Sequence, residues 1–128
     1  MMPLEIYKKL RGLALTEFSD IVEDSDFIRS ETDRPRKLRI YLIDGTFLDI
    51  WYSQQEQHYS YHWERKDING TLYRHDNAPH HRWANIKTFP KHFHNGSDEN
   101  VIESKLPEDP KKALSIFLSF CREKLSEL

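Results

Sequence analysis

The segment LRIYLIDGTFLDIWY, residues 38–52, decides the fold that the sequence predicts. Apolar side chains alternate in two triplets separated by an Asp-Gly pair. The first triplet is Leu38, Ile40 and Leu42, and the second is Leu48, Ile50 and Tyr52. Alternation with a period of two is typical of a strand with one buried face, and Asp-Gly is a strong turn signal. The segment therefore predicts a β-hairpin and, with it, an antiparallel sheet.

The length of the hairpin loop decides which side chains share a face. A three-residue loop, Ile43-Asp44-Gly45, places both apolar triplets on one face and gives Gly45 a left-handed conformation in a bulge. A two-residue Asp-Gly loop would instead pair Ile40 with Asp49. Burial of the apolar face therefore predicts the three-residue loop.

A second predicted hairpin joins residues 58–66 to residues 71–76 around Ile68-Asn69-Gly70, which repeats the apolar-Asx-Gly pattern. With the same loop geometry, one face is aromatic and the other is polar and cross-paired. The predicted polar pairs are His62 with Asp76 and Glu64 with Arg74.

The two ends of the chain predict helices. Leu4, Tyr7 and Leu10 recur at helical spacing, and a short helix is expected to end near Gly12. Residues 17–31 predict one or two strands. Near the other end, Asp109 is a good N-cap and Pro110 suits the first helical position. The apolar stripe of this terminal helix comprises Leu114, Phe117, Leu118, Cys121 and Leu125.

Length and composition predict one domain, residues 1–128, without repeats or Gly/Ser linkers. The single cysteine, Cys121, excludes an internal disulfide and is expected to be a small core residue. We find no secretion signal or bilayer-spanning stretch and expect a cytoplasmic protein. The predicted fold is α+β, a mainly antiparallel sheet of four to six strands with a short first helix and a packed terminal helix.

Charge is unevenly distributed along the chain. Residues 58–94 carry a net charge of +3 and all seven histidines, whereas residues 95–110 carry −4. The acidic run 98–109 is expected to be a solvated loop. Protonation of every histidine would change the total from −2 to +5, so affinity for a polyanion is expected to depend on pH.

The most unusual stretch is rich in histidine and comprises RHDNAPHH at residues 74–81 and FPKHFH at residues 89–94. Together with YSYHW at residues 59–63 and the first hairpin, these motifs resemble the TumE-type toxin family of prokaryotic toxin–antitoxin systems. The resemblance covers about residues 36–102. It implies a growth-arresting toxin and an antitoxin partner, commonly a helix-turn-helix protein, but no particular active residues.

The residue types in this stretch favour RNA cleavage without a metal ion, because histidine can take and donate protons near neutral pH. Pro79 and Pro90 make the intervening segment irregular, and site residues often lie in such loops. The predicted catalytic groups are His80 or His81 with His92 or His94 for proton transfer, Arg74 for phosphate charge and Asp76 to orient a histidine. The predicted substrate contacts are Tyr59, Tyr61, His62, Arg82 and Lys91, with the two tyrosines stacking on a base.

Four alternatives stand beside this hypothesis. Arg74 and Asp76 could form a structural ion pair, and the aromatic residues of the second hairpin could be plain core. The four histidines His80, His81, His92 and His94 could bind a divalent transition metal. The same surface could also belong to a non-catalytic binding or inhibitory module.

Overall fold

The computed structural model describes residues 3–32, 35–53 and 57–127. In these ranges seven strands form one antiparallel sheet, and each strand pairs with the next strand in the chain. The strands are β1 Val22–Arg29, β2 Pro35–Leu42, β3 Phe47–Ser53, β4 His58–Arg65, β5 Thr71–Asp76, β6 His92–Gly96 and β7 Val101–Glu103. The helices are α1 Pro3–Glu17, α2 Lys66–Asn69 and α3 Pro110–Ser126, and a 3₁₀ turn spans His81–Trp83.

The first hairpin has the predicted register. Ile40 pairs with Leu48, and Leu38 pairs with Ile50. The amide of Leu42 donates to the carbonyl of Thr46 at 2.9 Å, and Gly45 has a φ of +87°. The three-residue loop is therefore confirmed, and both apolar triplets face the core.

The second hairpin has a longer loop than predicted. Arg65 pairs with Thr71, and the short helix α2 occupies the loop and ends at the left-handed Gly70. Continuing β4 by two residues would place the carboxylate of Asp67 on the buried face, where an unpaired charge is costly. The chain therefore leaves the ladder after Arg65.

This loop shifts the cross-strand pairs of the second hairpin by two residues. His62 pairs with Arg74, and Ser60 pairs with Asp76. The predicted His62–Asp76 and Glu64–Arg74 pairs are therefore wrong. Because a shift of two residues preserves the faces of a strand, the division into one aromatic and one polar face is correct.

A buried arginine joins the two hairpins. Arg65 is 4% exposed, its Nη1 donates to Asp44 Oδ2 at 2.9 Å, and its guanidinium lies 4.4 Å from the ring centroid of Trp63. The other carboxylate oxygen of Asp44 accepts from the amide and hydroxyl of Thr46 at 3.1 and 2.6 Å. The indole of Trp63 donates to the same hydroxyl at 2.8 Å. The first turn is therefore fixed to the end of β4.

Both long helices cover one face of the sheet. The first lies against β1, β2 and β3, and the last lies over β4 and β5, where Phe117 contacts Tyr61 and Phe120 contacts Tyr73. No helix in the described ranges is both long and apolar enough to span a membrane.

The ends of the two long helices test the capping predictions. The first helix continues to Glu17 because Leu13 and Ala14 are buried, so its predicted end near Gly12 is wrong. In the last helix, the Asp109 carboxylate accepts from the amide of Lys112 at 3.0 Å, as expected of an N-cap. Its predicted stripe is confirmed, with Leu114, Phe117, Leu118 and Cys121 buried and Leu125 packed against them.

The opposite face of the sheet, here called the open face, is covered by neither long helix. Two rows of paired residues cross it. One row is Arg39, Asp49, His62, Arg74 and His94. The other is Trp51, Ser60, Asp76, His92 and Glu103.

The acidic run 98–109 is not simply a solvated loop as expected, because strand β7 lies within it. With β7, the sheet has seven strands, one more than the upper limit of the predicted four to six.

We predict that Asp44→Ala lowers the free energy of unfolding by about 3 kcal/mol, because it leaves the buried Arg65 without its anion. The matched control is Asn69→Ala. Asn69 makes the same two bonds to the residue after its glycine, Thr71, but it is exposed and bonds no buried cation. Urea unfolding followed by circular dichroism measures both, and equal losses would contradict the anchoring role of Asp44.

Candidate functional site

One carboxylate and two imidazoles meet on the open face and are here called the Asp76 cluster. His92 Nε2 lies 3.1 Å from Asp76 Oδ1, and His94 Nε2 lies 3.8 Å from Asp76 Oδ2. Each of the three residues is at most 9% exposed. They meet because His92 pairs directly with Asp76 across β5 and β6, and alternation places His94 on the same face.

Backbone carbonyls fix both imidazole rings. His92 Nδ1 lies 2.8 Å from the carbonyl oxygen of Pro90, and His94 Nδ1 lies 3.0 Å from that of Asp98. Since a carbonyl oxygen only accepts, each Nδ1 must carry the hydrogen. In the neutral ring the lone pair is then on Nε2, which faces Asp76.

The carboxylate is held as firmly as the rings. Arg74 Nε donates to Asp76 Oδ2 at 2.9 Å, and the amide of Ala78 donates to Oδ1 at 3.0 Å. Trp83 in the 3₁₀ turn lies beside the cluster, with its ring centroid 6.3 Å from that of His92 and 6.0 Å from that of His94. The cluster is therefore preorganised and partly shielded from water.

Burial lowers the pKa of His94, and its hydrogen bond to the Asp98 carbonyl partly offsets this effect. His75, in contrast, lies on the helix-covered face, stacked on Phe93 with ring centroids 4.0 Å apart. Burial lowers the pKa of His75 to about 3. His75 therefore stays neutral near pH 7. It does not contribute to the rise in net charge to +5, which assumed that every histidine is protonated.

The four predicted histidines do not form one group. His80 and His81 are exposed on the 3₁₀ turn, and His80 Nδ1 accepts from the amide of Arg82 at 3.4 Å. Among the described residues, the group whose ligand atoms lie within 4.8 Å of one another is Asp76, His92 and His94. The predicted pairing of His80 or His81 with the other two is therefore not supported by the geometry.

Tyr59 and Tyr61 are core residues rather than a stacking platform. Both are buried on the helix-covered face, with Tyr61 edge-on to Phe117 at 6.2 Å between ring centroids. Burial raises the pKa of both phenols. The geometry therefore does not support their predicted contact with a base and agrees with the alternative of plain core.

The other predicted contacts are distributed over different surfaces. Lys91 lies on the helix side, where its ammonium donates to the carbonyl of Leu106 and lies 3.5 Å from Glu108. Arg82 is exposed and pairs with Glu99 at 2.5 Å. Of these residues only His62, whose Nε2 lies 3.1 Å from Glu64, is part of the open face.

A polar groove of about 590 Å³ crosses the open face. Its lining includes Arg29, Arg36, Lys37, His62 and Arg74 together with Asp49 and Trp51. The indole of Trp51 is 37% exposed. The sequence already indicated that Trp51 faces outward, because it lies between the inward-facing Ile50 and Tyr52. Arg74 lines this open-face groove and also binds Asp76, so one side chain connects the groove to the cluster.

We predict that Tyr59→Phe changes the free energy of unfolding by less than ~1 kcal/mol, because the buried Tyr59 hydroxyl has no hydrogen-bond partner among the described residues. Urea unfolding followed by circular dichroism measures the change. A loss of several kcal/mol would contradict the absence of a hydrogen-bond partner for this phenol.

Comparison with known proteins identifies the family. The family model described as Toxin TumE matches residues 12–125, most of the chain. No curated protein and no solved structure matches the sequence. The match extends beyond the motifs that carried the resemblance and includes the sheet, the Asp76 cluster, the end of the first helix and nearly all of the last helix. The chain therefore belongs to the TumE toxin family.

Proposed function

We propose that this protein is the toxin of a toxin–antitoxin pair and that it acts in the cytoplasm by cleaving RNA at the Asp76 cluster. Its partner is an antitoxin of the helix-turn-helix class. The observation that carries the proposal is the position of Arg74. This side chain is 38% exposed in the open-face groove and donates to Asp76 at 2.9 Å.

The groove has the chemistry that a single nucleic-acid strand requires. Arg29, Arg36, Lys37 and Arg74 bring positive charge to its lining, against the carboxylate of Asp49. Burial raises the pKa of Asp49, but the hydrogen bonds from Arg39 and Lys37, both 2.8 Å long, outweigh this effect and leave the pKa lowered. Positive grooves with an exposed aromatic ring bind phosphates and stack bases without reading sequence.

RNA cleavage needs a group that takes the 2′-hydroxyl proton, a group that protonates the leaving oxygen and a cation on the phosphate. Arg74 fits the cation role, because it faces both the groove and the cluster. His92 and His94 are the imidazoles available for proton transfer, and Asp76 would accept the Nε2 hydrogen that such a ring carries when it is protonated. The metal-independent form of this chemistry stays a prediction from the sequence.

We predict that His94→Asn abolishes growth arrest and lowers the rate of RNA cleavage by ~10²-fold or more, the usual contribution of a proton-transferring group. Asparagine retains a donor near Nδ1 for the Asp98 carbonyl, so the fold should be preserved. His80→Asn tests the exposed histidine outside the cluster and should remain toxic. A folded His94→Asn protein that still arrests growth would favour a non-catalytic inhibitory module.

We also predict that Trp51→Ala weakens binding of a single-stranded oligoribonucleotide by about 5- to 150-fold, equivalent to ~1–3 kcal/mol for one stacked base. The control is Ile116→Ala, which removes an exposed apolar side chain from the helix-covered side. Fluorescence anisotropy at fixed salt measures both affinities. Equal affinities for the two variants would contradict stacking on Trp51.

A further inference from the structure

We propose that Asp76, His92 and His94 form a binding site for one divalent first-row transition metal ion. They offer two imidazole nitrogens and a carboxylate oxygen, all within 4.8 Å of one another and buried. Two histidines and one carboxylate with open positions are a common catalytic metal site. An ion bound here would occupy Nε2 of both rings, so cleavage with the ion bound would use an ion-bound water, and not these imidazoles, for proton transfer. Metal binding itself does not require RNA as the substrate, so this proposal and the proposed RNA cleavage can fail separately.

The hydrogen bonds of the rings decide which nitrogen would bind an ion. The carbonyls of Pro90 and Asp98 hold a hydrogen of each ring on Nδ1, which leaves Nε2 as the ligand atom. Nε2 of His92 lies 3.1 Å from Oδ1 of Asp76, so an ion between these two atoms would be bound by both.

The ligand atoms have nearly the required spacing. An ion bound about 2.1 Å from each ligand keeps neighbouring ligand atoms ~3.0–3.4 Å apart. The distance from His92 Nε2 to Asp76 Oδ1 is 3.1 Å, whereas His94 Nε2 lies 3.8 Å from the other oxygen, Oδ2, so the His94 ring must move closer to bind the same ion. Small side-chain movements would therefore complete the geometry.

The surrounding contacts are those of a supported metal site. Hydrogen bonds from the residues around a metal site hold its ligands in the orientation that binding needs, and each ligand here has at least one such bond. Asp76 receives the guanidinium of Arg74 on Oδ2 and the amide of Ala78 on Oδ1. The positive charge of Arg74 opposes the ion, but its position orients the carboxylate and leaves a lone pair of Oδ1 for the metal.

The donor set also indicates which ions fit. Imidazole nitrogen suits zinc, nickel, copper and iron, whereas magnesium and calcium prefer sites made entirely of oxygen. Three protein ligands leave at least one coordination position for water or a phosphate oxygen. Arg74 lines the groove and bonds Asp76, so a phosphate held by its guanidinium would lie near the ion.

The test uses the full chain without a polyhistidine tag, freed of metal with a chelator and then dialysed. We expect calorimetric titration with Zn²⁺ or Ni²⁺ to give one ion per chain and a higher unfolding temperature, and titration with Mg²⁺ to give neither. His92→Asn and His94→Asn should weaken Zn²⁺ binding at least 10-fold. Asparagine removes the Nε2 ligand and retains a donor for the carbonyl of Pro90 or Asp98.

Two further variants, His80→Asn and His81→Asn, distinguish this site from the four-histidine set. Stoichiometric binding in both, together with loss in the cluster variants, supports the site. Absence of Zn²⁺ and Ni²⁺ binding by the wild-type protein would overturn it, as would unchanged affinity in folded cluster variants. RNA cleavage is measured separately. Binding without cleavage contradicts the proposed function alone, whereas cleavage without binding contradicts only the metal site.

Discussion

The strict alternation of side chains across a sheet covered on one face is the constraint on which this structure depends. Burial of Ile40, Leu48 and Tyr61 under the helices forces their strand neighbours outward. Because the sheet is a continuous antiparallel meander, each outward residue lies beside outward residues of the next strand. The polar rows of the open face, and hence the groove and the Asp76 cluster, follow from packing on the opposite side.

Asp76 is the residue at which the functional features meet. It pairs with His92 across the sheet, receives Arg74 from its own strand and fixes the amide of Ala78 at the start of the irregular segment. One short carboxylate therefore joins the cationic groove to the two imidazoles. Because Asp76 is nearly buried, water screens its interactions with neighbouring charges less than at the surface, and these interactions are stronger.

The sequence identified part of this site for a physical reason. Residues two apart on a strand share a face, so Arg74 with Asp76 and His92 with His94 were expected to act together. The position of His80 outside this group was not predictable, because no period governs an irregular segment bracketed by prolines. Tyr59 was predicted to stack on a base, although its alternation with polar residues already indicated a buried position in the core.

The sequence by itself determined the α+β class, the register of the first hairpin, the cap of the terminal helix and the family, since each depends on residues close together in the chain. Tertiary structure alone decided the five-residue second loop, the pairing of β6 with β7 and the convergence of Asp76 with two imidazoles. These features depend on contacts between distant segments. Arg65 illustrates the difference, because its role is evident only when Asp44, 21 residues earlier, lies beside it.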